Sequence, residues 1–181
     1  KGCGKTTLAE ALVVRHEFKE HAFATHLKDE AARVYSISRH EFDDVKFKNA
    51  EVVVDGLTRR QILQNHGDKM KEEYGVNVFI DKLREKITGK HVVVSDVRMK
   101  NEAAFIKEIG GVLVRIVRPI EPTGQATLIH GDHEEPVESD DQHASEQEQC
   151  LIDDIDFCIL NGGSKQQLHT LSSLLVNYIC K

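Results

Sequence analysis

Lys1-Gly2-Cys3-Gly4-Lys5-Thr6-Thr7 opens the chain, and its Gly-x-Gly-Lys-Thr core runs directly into Leu8-Ala9-Glu10-Ala11-Leu12. This is most of a phosphate-binding loop. In such a loop glycines let successive backbone N–H groups turn toward one anion, a lysine reaches the β- and γ-phosphates, and the adjacent hydroxyl holds Mg²⁺ where the positive end of a helix begins. The full pattern is G-x-x-x-x-G-K-[ST]. Its first glycine, and the apolar strand that leads into it, are expected upstream of Lys1. The competing reading is a frayed, glycine-rich start followed by an ordinary amphipathic helix. What lies downstream decides between them.

A chain of 181 residues is long enough for one sizeable core, and nothing in its composition forces a second domain. With 40% hydrophobic and 30% charged residues it reads as a soluble globular protein. No apolar run approaches the length of a membrane span, so no membrane partner is expected. The net charge of −6 argues against a nucleic-acid polymer as the main partner, whereas a nucleotide needs only a few cations gathered at one place. Cys3, Cys150, Cys158 and Cys180 are scattered without C-x-x-C spacing. That usage fits a reducing cytoplasm, the host's if the chain is viral.

Leu8, Leu12 and Val13 give one helical face from Thr6 to about His21. His21 to Leu27 reads as a short strand and Lys28 to Tyr35 as a second helix. Residues 36–56 show no clean period and read as a surface excursion. From Leu57 the pattern sharpens: Thr58 can cap a helix, Ile62 and Leu63 can be buried, and Gly67 can end it. Val76 to Ile87 repeats the helical period and closes on Gly89.

His91-Val-Val-Val-Ser-Asp96 is the plainest buried strand, and a helix from Asn101 to Ile109 and a strand from Val112 to Arg118 follow it. The acidic stretch between Pro119 and Ser164 holds no lysine or arginine and reads as a long loop. A last strand, Asp156 to Asn161, turns through Gly162-Gly163 into a final helix with a Ser164/Gln167 capping box. Strands alternating with helices imply an α/β fold, with a mostly parallel sheet covered on both faces and ligands at the carboxyl ends of the strands.

Asp96 ends the buried strand, where an acid can hold the water shell of Mg²⁺ or cap the next helix. Arg98 alternates to the same side of an extended backbone. Arg59 and Arg60 are adjacent at a helix start and must diverge, so one can serve a phosphate while the other is solvated. His130, His133 and His143 match no common zinc spacing and read as loop residues.

Taken together, Gly4-Lys5-Thr6-Thr7, Phe23 to Lys28, Arg60-x-x-Leu63-Gln64-x-x-Gly67, Asp96-Val97-Arg98-x-x-Asn101-Glu102-Ala103, Gly110-Gly111, Arg118-Pro119, His143-Ala144-Ser145-Glu146 and Asp156-x-x-Ile159-x-Asn161-x-Gly163 resemble the deoxynucleoside monophosphate kinases of bacteriophage type. These belong to a P-loop kinase group that includes the animal phosphomevalonate kinases. The resemblance spans nearly the whole chain. It implies a three-layer α/β/α domain over residues 1–181, with an acceptor-binding helical insertion at about 36–90 and an acidic lid at about 120–155. It implies transfer of the γ-phosphoryl of ATP to a deoxynucleoside monophosphate, giving the diphosphate, with Mg²⁺ as cofactor.

On that analogy Lys5, Asp96 and Arg98 serve catalysis, and Thr6 and Asp96 the metal. Gly2, Cys3, Gly4, Lys5, Thr6, Thr7, Asn161 and Gly162 serve ATP. Lys28, Arg60, Gln64, Gly67, Phe79, Glu102, His143 and Glu146 serve the acceptor and its lid. Phe79 stands where the family tends to have tryptophan, and its ring can still stack on a base. Thr6 stands where the family often has an acid, and Asp68 where it has a small hydroxyl residue. Two other readings stay open: a kinase of another small phosphate acceptor such as phosphomevalonate, and a nucleotide-binding module without catalysis. Base and sugar preference, and formation of a homodimer, are also left open.

Overall fold

A computed structural model describes residues 2–43, 52–89, 91–119, 123–131 and 152–180. The described helices are α1 (Lys5–His16), α2 (Ala24–Tyr35), α3 (Arg59–Tyr74), α4 (Val78–Lys86), α5 (Lys100–Glu108) and α6 (Lys165–Ile179). The strands are β1 (Lys19–His21), β2 (Val52–Val54), β3 (Leu57–Thr58), β4 (Val92–Val94), β5 (Val114–Val117), β6 (Ala126–His130) and β7 (Phe157–Asn161), and a 3₁₀ turn spans Arg39–Phe42. The chain is thus α/β, and it divides into two compact units, residues 1–20 with 89–181 and residues 21–88. Among the described residues no helix is long and apolar enough to cross a membrane.

The first unit is built on β7, whose Phe157, Cys158 and Ile159 are all buried. It lies between β5, to which it is parallel, and β6, to which it is antiparallel. On this sheet pack Leu8 and Leu12 of α1 and Leu168, Leu171 and Leu175 of α6, with Phe18, in one cluster. Each such side chain contributes roughly 1.5–3 kcal/mol on burial, so α1 is held by its apolar stripe rather than by any cap at its start. β1 and β4 form a separate two-stranded pair.

β6 corrects the reading of the acidic stretch at about 120–155 as loop. Its residues pair along the whole of β7, from Ala126 opposite Asn161 to His130 opposite Phe157. The helix expected to reach His21 ends at His16, where Glu17 takes a left-handed φ of 58° and donates its N–H to Leu12 O. The strand expected at 21–27 is only Lys19–His21, and α2 has begun by Ala24.

In the second unit Ala31, Phe42 and Ile62 are fully buried among Tyr35, Ile37, Val54, Leu57 and Leu63. Thr58 and Gln61 form the capping box that starts α3. Gly67 does not end that helix, which runs on to Tyr74 and is closed by Gly75. Gly67 faces Leu27 of α2, where a Cβ would come within ordinary contact of Leu27 Cδ2 at 3.4 Å. The excursion expected at 36–56 includes an antiparallel hairpin, β2–β3, turning on Asp55 and Gly56, both at positive φ.

The start of β7 is fastened by one carboxylate. Asp156 Oδ1 accepts from Lys107 Nζ of α5 at 2.8 Å, and Oδ2 from the Leu113 N–H at 2.7 Å. Burial pushes the Asp156 carboxyl up, but Lys107 and the Leu113 amide outweigh it and hold it below the usual aspartate range. A depressed carboxyl contributes stability that is present above the unfolded value near pH 4 and is lost as pH falls through the folded value. Asp156→Asn is therefore expected to flatten the loss of stability below about pH 4, measured as urea midpoints against pH. An unchanged acid limb contradicts the role given to this contact.

Candidate functional site

The glycine loop runs directly into α1. Gly2 has a φ of 73° and Gly4, the N-cap of α1, a φ of 111°, both left-handed values that a side chain resists. The first intrahelical bond runs from Leu8 N to Gly4 O at 2.9 Å. Helix geometry therefore leaves the N–H groups of the preceding residues without helical acceptors. α3 and α6 close their starts with capping boxes, but no side chain caps α1 and no acid stands in its first turn. Lys5 occupies that turn instead, half-buried, with Nζ 3.7 Å from Cys3 Sγ. A cation at the positive end of a helix dipole is unfavourable unless an anion joins it. Thr6, next to it, is exposed and Thr7 half-buried.

Asn161, the last residue of β7, meets the loop from beneath, its Nδ2 donating to Cys3 O at 2.7 Å. Beside it the turn into α6 borders an open cavity of about 500 Å³ lined by Gly124, Gly162, Gly163, Ser164, Gln166, Gln167 and Thr170. That volume is within the range of small-molecule sites.

Asp96 and Arg98 lie half-buried in the extended segment after β4. The N-cap of α5 is Met99, so Asp96 does not cap that helix. The carboxylate that does this work is Glu102, buried, with Oε2 accepting from the N–H groups of Arg98 at 2.8 Å and Met99 at 3.1 Å. Assigned by resemblance to the acceptor, Glu102 has this carboxylate oxygen turned onto the backbone that carries Arg98.

The acceptor residues of the second unit are described by themselves. Arg60, Gln64 and Gly67 recur at i, i+4 and i+7 and share one face of α3. Arg59 is the buried member of the arginine pair, 5% exposed, and its Nε donates to Glu41 Oε2 at 2.8 Å. Stranding such a charge by removing its partner costs about 3–5 kcal/mol, so Arg59 is structural, while Arg60 beside it is half-buried. Lys28 of α2 donates to Asp43 Oδ1 at 2.7 Å. Burial pushes the Asp43 carboxyl up, and Lys28 and Arg39 overcome this and hold it low. Phe79 of α4 is half-buried.

His143, Glu146 and His133 lie outside the described residues. His130 stands on β6 with its ring edge-on to Phe157 at 4.8 Å. Among the described residues no cluster of three His, Cys, Asp or Glu side chains could hold a metal.

Comparison with known proteins adds one relation and one negative. No family model matches the chain. A protein of Acanthamoeba polyphaga mimivirus named "Putative deoxynucleotide monophosphate kinase" is 31% identical over 189 aligned residues, which cover 94% of this chain and 89% of that protein.

His66, beside Gly67, carries a buried Nε2 without a hydrogen-bond partner, and its ring stands edge-on to Tyr35 at 5.8 Å. Burial pushes the His66 imidazole below its ordinary value of 6.5, with Lys69 and Arg33 adding to it and Glu30 opposing. The unfolded chain then takes up the proton first, so stability falls as pH drops below 6.5 until the folded form protonates too. His66→Phe is expected to abolish this acid-linked loss and to stabilise the protein by about 1 kcal/mol by removing an unpaired buried nitrogen. Thermal melts from neutral to mildly acid pH check it, and a variant that keeps the wild-type slope refutes it.

Proposed function

The chain belongs to the deoxynucleotide monophosphate kinase family, and from that premise we propose that it transfers the γ-phosphoryl of ATP to a deoxynucleoside monophosphate. The single observation that carries the ATP half of this reading is the uncapped, glycine-lined start of α1 with Lys5 in its first turn. The three-layer P-loop kinase arrangement remains part of the proposal, supported by the order of helices and strands.

The Gly4, Lys5, Thr6 and Thr7 amides receive the β- and γ-phosphates, and Lys5 adds a mobile positive charge. The cavity beside Gly162 and Gly163 takes the adenosine end, its glutamine side chains and backbone edges offering donors and acceptors. The hydroxyl of Thr6 and the carboxylate of Asp96 are hard oxygen donors. Such donors suit Mg²⁺, an ion that takes few protein ligands and completes its shell with water and phosphate oxygens. When bound, that ion neutralises charge on the β- and γ-phosphates.

On the acceptor side, Arg60 and Gln64 bind the monophosphate, with Lys28 and the Phe79 ring beside them in the set. An acceptor phosphate oxygen attacks the γ-phosphorus in line as the bond to the β–γ bridging oxygen breaks, leaving ADP and the deoxynucleoside diphosphate. Little covalent chemistry falls to the protein; it positions both phosphates and compensates the charge of the transferred group through Lys5 and Arg98. Glu102 fixes the backbone from which Arg98 projects.

A coupled assay with ATP and each deoxynucleoside monophosphate tests the reading on the full-length protein. Lys5→Ala is expected to lower kcat by about 10²–10³, the cost of losing one preorganised charge-stabilising group. Wild-type turnover by that variant, or no turnover of any deoxynucleoside monophosphate by the unaltered protein, contradicts it.

A further inference from the structure

We propose that Asn161 is a positioning residue, whose side-chain amide orients the phosphate loop by pinning the Cys3 carbonyl. The inference rests on the kinase reading above and goes beyond it, because it takes Asn161 away from direct contact with ATP and gives it the shape of the loop.

The Cys3–Gly4 peptide is trans, as are all the described peptide bonds. In a trans peptide the C=O and the N–H point in opposite directions. Asn161 Nδ2 donates to Cys3 O at 2.7 Å, and Asn161 is only 7% exposed, so this carbonyl is drawn inward. The Gly4 N–H at the other side of the same peptide is thereby turned outward, where an anion can reach it.

The pin is itself rigid. Asn161 stands at the end of the central strand, opposite Ala126 in the β6 ladder, and its neighbour Leu160 is opposite Val117 in the β5 ladder. Gly4 fits over it closely: a Cβ there would be 2.6 Å from Asn161 Nδ2 and 2.9 Å from Leu168 Cδ2. The amide is a poor device for stability. Its Oδ1 is buried without a hydrogen-bond partner, so one bond made is set against one acceptor left unsatisfied. What the side chain supplies is direction.

The test uses Asn161→Asp, which keeps the shape and loses the donor, and Asn161→Leu, which loses both polar atoms. ATP affinity is measured by calorimetry on the full-length protein between about pH 8 and pH 4, with the KM for each substrate and the melting temperature. Both variants are expected to weaken ATP about tenfold or more, the worth of one hydrogen bond or a little over, with the KM for the acceptor unchanged. In Asn161→Asp the affinity recovers as pH falls, because the protonated carboxyl regains an O–H for Cys3 O; in Asn161→Leu it does not. A merely structural role predicts no such recovery, and the aspartate variant carries the decision if the leucine variant does not fold. Wild-type ATP affinity in Asn161→Asp across that pH range overturns the inference and leaves the kinase reading standing. Failure of the unaltered protein to bind ATP overturns the reading on which it rests.

Discussion

A peptide group cannot turn its carbonyl and its N–H to the same side, and the first unit of this protein is arranged around that constraint. A buried strand end holds one carbonyl of the glycine loop, the Cys3 C=O, and the peptide's own geometry sets the Gly4 N–H opposite to it. The helix behind them starts without a cap or an acid, with a lysine in its first turn. A helix start left in that condition is stabilised by an anion. The leucines of α1 and α6 supply the burial that keeps it in place when none is bound.

The second unit separates two neighbouring charges by burial. Adjacent arginines at the start of α3 are separated by burial: Arg59 is sunk against Glu41, while Arg60 stands on a face with Gln64. Sequence alone required them to diverge but did not say which would be sunk. That depended on Glu41, eighteen residues upstream, in a stretch whose pattern carried no period.

What was legible in the sequence was what local chemistry dictates. The start of α1 after the glycines, Thr58 as a cap, the Ser164/Gln167 capping box and a strand in the β-branched run at 92–94 need only neighbours in the chain and are found there, although that strand is half-buried rather than buried. Val52 to Thr58, with Asp-Gly between short apolar runs, carried a hairpin signal that the surrounding charges obscured. β6 was hidden because Ala126–His130 lies in an acidic, proline- and glycine-bearing stretch, and only its pairing with β7 makes it a strand. Gly67 had the look of a helix stop, but it lies inside α3, which ends at Gly75. Glu102 and Asn161 were picked out as ligand residues; Glu102 is turned onto the N–H groups of Arg98 and Met99 by a local helix-start contact, whereas the contact of Asn161 with the Cys3 carbonyl is tertiary.

The central claim is that the amides at the front of α1 receive the phosphates of ATP. The most direct measurement is a titration of the ¹⁵N-labelled full-length protein with ATP and Mg²⁺, followed by amide resonances. The account predicts that Gly4, Lys5, Thr6 and Thr7 shift first and furthest, with smaller changes at Gly162 and Gly163. Saturable shifts confined to other residues, with the glycine loop unmoved, contradict it.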